Sequence, residues 1–440
     1  MANTFLTKTF ASDSNRKTWT WSAWIKRTGL GGTQTLMTQV DAWNGNGNAG
    51  FYIIGDQLTS YNFTSSLNAG TSSYNRPSMF LRDVNGWYHI VVRLDTTQST
   101  ASDRCRWYVN GEQLTDFAYA NYPSLDQDCN FNGGDPHGIG SHTAGANYFD
   151  GVMSYINFSD GYSYAPTVFG STDSTTGEWT INTNPTFTLG THGFTILKNG
   201  NTITDQSTNS NNWSLGGGTL TNTLDCPANV FATWNPLSAL STPPTFSNGN
   251  TTAAVPTSGG AFRSTLAASS GKYYCEVKVT TLENFAVGIQ PIDSTYNVSI
   301  FGDTSGIGLY GTNGEVYKNG SNIGAVASVS NNDIIGMAID LDNNNIYFSV
   351  NGQYASGLSG SWNQSFGSAY AVAINSGHAY TIAGVNGSSG TTSNISINFG
   401  NGTFGTSAVT SAGTPGSTPG TFEYDVPSGY EPLTTKGLNA

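Results

Sequence analysis

Charged side chains are what this sequence most lacks. Asp, Glu, Lys and Arg make up 10% of its 440 residues, against about 25% in a typical globular protein. The 16 Lys and Arg nowhere gather into a stripe, which excludes the electrostatic footprint of a nucleic-acid binder. A formal net charge of -12 would be repelled by an anionic bilayer. No apolar run approaches the roughly 18 residues of a membrane span. The opening Met1-Ala-Asn-Thr-Phe-Leu-Thr-Lys8 has no apolar stretch suited to a signal peptide, so synthesis in a cytoplasm without signal-peptide export is expected.

The usual reactive groups are scarce as well. Cys105, Cys129, Cys226 and Cys275 are widely spaced with no CxxC pair, which argues against zinc. They read as small buried hydrophobes, and a Cys105–Cys129 bridge stays open. His89, His137, His142, His192 and His378 form neither His-x-x-x-His nor His-Glu-x-x-His. His89 follows Trp87-Tyr88 in an expected strand and reads as a packed histidine. There is no Gly-x-Ser-x-Gly elbow with plausible partners. Gly216–Gly218 is not followed by the Lys-Ser/Thr of a phosphate loop.

A glycosidase would need two carboxylates roughly 5–9.5 Å apart across the scissile bond. The nearest approach is Asp340-Leu-Asp342, which ends a strand and runs into Asn343-Asn-Asn345. Asp126 and Asp128 lie in a loop beside Pro123. Both pairs read as turn formers. Oxygen-rich loops near Asp41, Asp56, Asp83 and Asp150 suit a hard cation such as Ca²⁺, but there is no EF-hand spacing and turn chemistry accounts for them equally. The expectation is no catalytic residue and no bound cofactor, with calcium as the one alternative.

What the chain has in abundance is glycine (54 residues), Ser, Thr and Asn, with 12% aromatics. Ample apolar surface between many turn residues predicts an all-β protein rather than a disordered one. Thr18-Trp-Thr-Trp-Ser-Ala-Trp-Ile25 alternates as a half-buried strand. Asn85–Leu94 and Asp103–Glu112 read as two further strands, the second entering an Asn110-Gly111 hairpin turn. Another series of short strands runs from Ser270-Gly-Lys-Tyr-Tyr-Cys-Glu-Val-Lys-Val279 through 285–289, 306–310 and 315–320 to 332–352.

Trp21-Ser-Ala-Trp-Ile25, Gly86-Trp-Tyr-His-Ile-Val-Val92, Trp107-Tyr-Val-Asn-Gly111, Ile139-Gly140 and Phe149-Asp-Gly-Val-Met153 together resemble a laminin-G/concanavalin-A-like jelly roll. The strands of 269–351, with the closing Ile395-Ser-Ile-Asn-Phe399, resemble a SPRY domain. Phe169–Trp179, Gly190–Phe194, Asp205–Trp213 and Asp225–Leu237 resemble the segment joining such units in virion proteins of tailed phages, especially phages of marine bacteria. Phe422-Glu-Tyr-Asp-Val-Pro-Ser-Gly-Tyr-Glu-Pro-Leu433 resembles a tail signature of the same proteins.

The resemblance implies two antiparallel β-sandwiches in series. A jelly roll is expected over 1–167, a β-rich connector over 168–240 and a SPRY-like sandwich over 241–405. A Gly/Ser/Thr/Pro linker and docking tail would occupy 406–440, the tail packing back on the sandwich or onto a neighbouring virion subunit. It further implies a non-enzymatic virion surface protein, in capsid decoration, head fibre or tail fibre. Partners would be other virion proteins, host-surface glycans or proteins, and further copies in a homo-oligomer; nucleic acid and membrane insertion are not expected. Loops would carry recognition. In Asp41–Asn48, Trp43 with Asn44 and Asn46 suits sugar stacking and amide hydrogen bonding, although Trp43 folding back on the sandwich is the plainer reading. Around 293–297 and 361–365, Tyr296 and Trp362 are the matching candidates. Two rival functions remain: a jelly-roll polysaccharide-degrading enzyme, and a structural cement protein without a ligand.

Overall fold

The computed structural model describes residues 3–40, 48–61, 75–142, 145–239, 242–256, 260–294, 301, 306–386, 392–410 and 413–439. Among them the regular structure is strand plus short 3-10 turns, so the chain is all-β, as the composition predicts. Among the described residues no helix is long and apolar enough to cross a membrane. The chain divides into two compact units, Met1–Asn222 and Thr223–Ala440.

The first unit contains β1 (Phe5–Thr9), β2 (Thr18–Arg27), β3 (Thr33–Val40), β4 (Asn48–Ile54), β5 (Gln57–Tyr61), β6 (Asn75–Pro77), β7 (Trp87–Asp95) and β8 (Cys105–Val109). It continues with β9 (Glu112–Gln113), β10 (Phe117–Ala120), β11 (Pro136–Ile139), β12 (Gly151–Asp160), β13 (Gly170–Thr172), β14 (Trp179–Ile181), β15 (Phe194–Ile196) and β16 (Ser214–Gly217). Two six-stranded sheets form, in the orders β16-β1-β11-β3-β4-β5 and β15-β12-β2-β7-β8-β9. The period-2 pattern of β2 sends Trp19, Trp21, Ala23 and Ile25 inward to Phe51, Ile90, Val92 and Trp107.

Strand β2 was expected to be half-buried, yet from Trp19 onward every residue is buried. The reason lies in the segment after β12. Val91 and Tyr108 on the outer face of this sheet pack under Phe169, with Tyr164, Val168 and Phe187 around them. Farther on, β15 pairs with β12 and β16 with β1. The loop between them is knotted by side chains: Asp205 accepts the amides of Thr195, Ser207 and Asn211, and Asn209 and Asn211 both donate to the Gly193 carbonyl. The expected connector is therefore not separate. Residues up to Asn222 belong to the first compact unit and Thr223 onward to the second.

The second unit contains β17 (Thr245–Ser247), β18 (Thr252–Val255), β19 (Ala261–Ala268), β20 (Lys272–Thr281), β21 (Phe285–Pro291), β22 (Ile307–Tyr310), β23 (Glu315–Lys318), β24 (Ser321–Ala325) and β25 (Ile334–Asp340). It continues with β26 (Asn345–Val350), β27 (Gln353–Ala355), β28 (Trp362–Gln364), β29 (Val372–Ala373), β30 (Tyr380–Asn386), β31 (Ser393–Asn398), β32 (Thr403–Phe404), β33 (Ser407–Ala408) and β34 (Glu431–Pro432). One sheet runs β17-β18-β31-β20-β25-β26-β27-β28, with β29 on β26 and β34 on β20; the other runs β19-β30-β21-β22-β23-β24. Tyr273, Cys275, Val277 and Val279 of β20 meet Val287, Ile289, Ile307 and Ile382 in a shared core.

The tail does not stand apart. Strand β34 pairs in parallel with β20, and Phe422 and Tyr430 pack on Tyr274, Ala338 and Tyr354 of the outer sheet face. Phe231 bridges to Thr434, and the Ala232 amide donates to the Leu433 carbonyl. The stretch expected as a linker is drawn in as well: Ser417 and Thr418 donate to the Glu431 carboxylate. Gly/Ser/Thr/Pro composition marks a chain without a core of its own, but it can still be fixed by a neighbour's surface.

Candidate functional site

Three groups of polar side chains are placed where chemistry or recognition could occur. The first is a loop end of the first unit. Gly55 and Asp56 make the turn between β4 and β5 at φ +55° and +70°, a conformation Gly and Asp tolerate. This aims Asp56 at Arg27, the last residue of β2. Arg27 Nη1 donates to Asp56 Oδ1 at 3.0 Å and to the Leu81 carbonyl. The Gly31 amide (2.6 Å) and Arg82 Nε (3.2 Å) complete the carboxylate's shell. Burial alone would push Asp56 up, but the Gly31 amide and the two guanidinium groups outweigh it and hold the carboxyl below its usual range.

These contacts bear on the calcium reading. Asp56 is occupied by two cations, Asp83 Oδ1 accepts the Asn85 amide in a turn, and Asp150 Oδ1 accepts from Thr28 Oγ1. Asp41 lies outside the described residues. Among the described residues no group of three or more His, Cys, Asp and Glu side chains is gathered to hold a metal ion.

The second group is His89 on β7. It stacks between Trp24 (4.8 Å) and Trp179 (5.9 Å). Its Nδ1 accepts from Trp179 Nε1 at 3.0 Å. An indole N–H can only donate, so the ring proton sits on Nε2 and is given to Ser22 Oγ, 2.9 Å away. A histidine that already donates to a serine cannot take that serine's proton. Burial pushes the imidazole down to about 3, so it is neutral near pH 7. Gly111 makes room for the cover: a Cβ there would lie 2.5 Å from the Trp179 ring. Trp179 is the partner that sequence reasoning missed, because nothing in its local pattern ties it to a strand ninety residues earlier.

The third group is the rim after β21. Two described points are fixed here, Asp293 and Phe301. Asp293 places both carboxylate oxygens 3.0 Å from His378 Nδ1. Phe301 is fully buried against Ala286, Ala383 and Val385, seated on Gly308, where a Cβ would approach its ring to 2.4 Å. Beside the Asp293–His378 pair, Ile292 is 51% exposed. Tyr380 donates to the Asn375 carbonyl, and Asn375 reaches Asn319. An exposed acid–imidazole pair beside an exposed aliphatic side chain and amide groups is a mixed surface of the kind recognition loops offer.

Of the candidates read from the sequence, Trp43, Asn44, Asn46 and Tyr296 lie outside the described residues. The first three fall between β3 and β4, whose ends Val40 and Asn48 pair. Trp362 was expected in a loop but lies in the short strand β28, which pairs with β27. It is partly buried against the core, and its Nε1 donates to the Ala327 carbonyl at 2.9 Å. The acidic pair is engaged in turns: Asp340 pairs with Lys272 at 3.0 Å and accepts from Asn343, while Asp342 accepts the Gly271 amide. Cys105, Cys129, Cys226 and Cys275 are free thiols.

Residues 3–168 match the laminin-G family model described as the concanavalin A-like lectin/glucanases superfamily. That description joins binders and enzymes. No curated protein matches the chain. Among solved structures, similarity is found to the SPRY domain of human HERC1, at 17% identity over 37% of this chain and 96% of that one, with a TM-score of 0.30. A heptameric SAP-like pentraxin from Limulus polyphemus is similar at 16% identity, covering 37% of this chain and 71% of that one, with a TM-score of 0.27. A human SPRY domain is similar at 13% identity over 37% and 95%, with a TM-score of 0.25. Similarity of this degree does not establish a shared role.

Proposed function

We propose that this chain is a non-enzymatic binding protein of a tailed-phage particle, held to the virion and meeting host-surface glycans or proteins through loops at the ends of its sandwiches. One observation carries the binding reading: among the described residues, the buried histidine and the carboxylates weighed above for chemistry or metal binding are engaged in folding contacts, and the exposed Asp293–His378 pair lies on a recognition rim. His89 is capped by Trp179 and Ser22, Asp56 by two guanidinium groups, and Asp340 by Lys272 and Asn343. The match of residues 3–168 to a family that includes lectins supports it. The phage assignment rests on the motif resemblance of Phe169–Leu237 and Phe422–Leu433.

The recognition surfaces proposed are the 41–48 loop, with Trp43, Asn44 and Asn46, and the rim around Asp293, Tyr296 and His378. Trp362 is a third candidate, as a partly buried ring on β28. A glycan array and a pull-down from host-cell envelopes, run with the full chain, should return a ligand. Binding should drop at least tenfold in Trp43→Ala or in Asp293→Ala. Blank results in both would favour a cement protein. Release of oligosaccharides from host polysaccharide would instead establish an enzyme.

A further inference from the structure

In the second unit the C-terminal strap, residues 413–436, closes over a carboxylate. Glu276 lies on the outer face of β20 and is fully buried. Its Oε1 accepts from Tyr274 Oη at 3.2 Å and from the Tyr424 amide at 2.9 Å. Its Oε2 accepts from the Glu423 amide at 2.8 Å and from Asn398 Nδ2 at 3.4 Å. Two of the four donors thus come from the strap's backbone. Beside them Phe422 is fully buried and meets the Tyr274 ring edge-on at 5.0 Å, while Asn398 also donates to the Thr421 carbonyl.

The strap is also closed on itself. Gly413 and Phe422 exchange backbone hydrogen bonds, and the Gly416 amide donates to the Tyr430 carbonyl. The corner Phe422–Tyr424 is therefore presented to Glu276 as a formed turn. The titratable groups around the carboxylate are Tyr274 and Cys275 on β20, Tyr354 on β27, and Glu423, Tyr424 and the adjoining Asp425 in the strap. The two lysines on the same strand face are committed elsewhere: Lys272 to Asp340 at 3.0 Å, and Lys278 over the Phe404 ring. Among the described residues no cation bonds to Glu276.

We propose that strap docking is linked to proton uptake at Glu276, so that the strap is held firmly in acid and loosens as the medium turns alkaline. A buried carboxylate without a cation costs free energy when ionised. Its neutral form has a place for the proton, because Tyr274 Oη can accept as well as donate. Burial pushes Glu276 up to about 7, against the pull of the Glu423 and Tyr424 amides and of Tyr274 and Asn398. With the strap lifted, the group meets water and returns toward its ordinary 4.5. The docked value is the higher one, so docking is strongest below about 4.5, weakens as pH rises towards 7 and levels off above it. Between pH 5 and pH 8 the docking equilibrium changes by roughly one to two orders of magnitude.

Amide hydrogen exchange on the full chain tests this, with opening constants corrected for the intrinsic pH dependence of exchange. Opening at Phe422–Tyr424 should be at least about tenfold more populated at pH 8 than at pH 5, with no such change in β25. Glu276→Gln should flatten the profile. Phe422→Ala should raise opening at every pH and keep the slope, which separates a loosened cover from a lost proton link. Equal wild-type opening at pH 5 and pH 8, a slope that survives Glu276→Gln, or a slope absent from Phe422→Ala would each overturn the proposal.

Discussion

The two units cover the outer face of a sheet by the same means and seat the cover on opposite chemistry. In the first, the chain leaving β12 folds back over β2, β7 and β8, and Trp179 lies on a histidine that burial keeps neutral. In the second, the strap folds over β20 and β25, and Phe422 with two amides closes on a carboxylate. One seat resists taking a proton and the other favours it. A sandwich face can thus be roofed by a segment with little secondary structure, provided that one aromatic ring and a few directed hydrogen bonds fix it. What the seat is made of then decides how the roof responds to pH.

The largest expected effect is on the first unit in acid. Burial pushes both His89 and His137 down to about 3, from an ordinary 6.5. The unfolded chain therefore takes these protons first. Stability is full above about 6.5 and falls as pH drops towards 3, by about 1.4 kcal/mol per pH unit for each histidine. Exchange protection of β2 and β7 should collapse below pH 5 while that of Phe422–Tyr424 rises; parallel loss in both units would break the comparison.

Next in size is Phe422→Ala. Removing a fully buried ring costs about 3–5 kcal/mol, and thermal unfolding of the second unit should show it while the β2 and β7 amides keep their protection. Trp179→Ala is the matching change in the first unit. Trp179 is only half-buried, so the loss should be smaller, about 2 kcal/mol, and His89 should then titrate nearer its ordinary range by NMR. Comparable in size is Gly111→Ala. At φ +82° and 2.5 Å from the Trp179 ring, an added methyl costs about 1–3 kcal/mol and should loosen the first cover alone.

Much of this architecture is legible in the sequence where one face of a strand is apolar. Thr18–Ile25 is read as a strand and is found within Thr18–Arg27. The Asn110-Gly111 turn follows β8 with both residues at positive φ, +48° and +82°. The covers are harder to read. Glu276 sits at a position where a strand would turn a polar residue to water, and only the distant Phe422–Tyr424 shows that it is enclosed. The Asp205–Trp213 loop has no apolar period at all, because its order comes from side-chain amides bonded to backbone. Periodicity reports burial against a core and is silent about a surface closed by hydrogen bonds. For the recognition loops, Trp43 and Tyr296 remain sequence expectations, whereas the Asp293–His378 pair emerged only from the fold, since its members lie 85 residues apart.

The bridge between Phe231 and Thr434, with the Ala232–Leu433 hydrogen bond beside it, means that the second unit clasps its own two ends. Cutting it out at the sandwich boundaries suggested by motif, 241–405, would discard both halves of the clasp together with Trp234, Phe422 and Tyr430, and leave Phe262, Phe399 and Tyr274 without their ring partners. A fragment spanning 223–440 keeps the clasp intact, and because the clasp joins segments near its two ends, it is the portion of this protein best suited to circular permutation or to grafting into a loop of another scaffold.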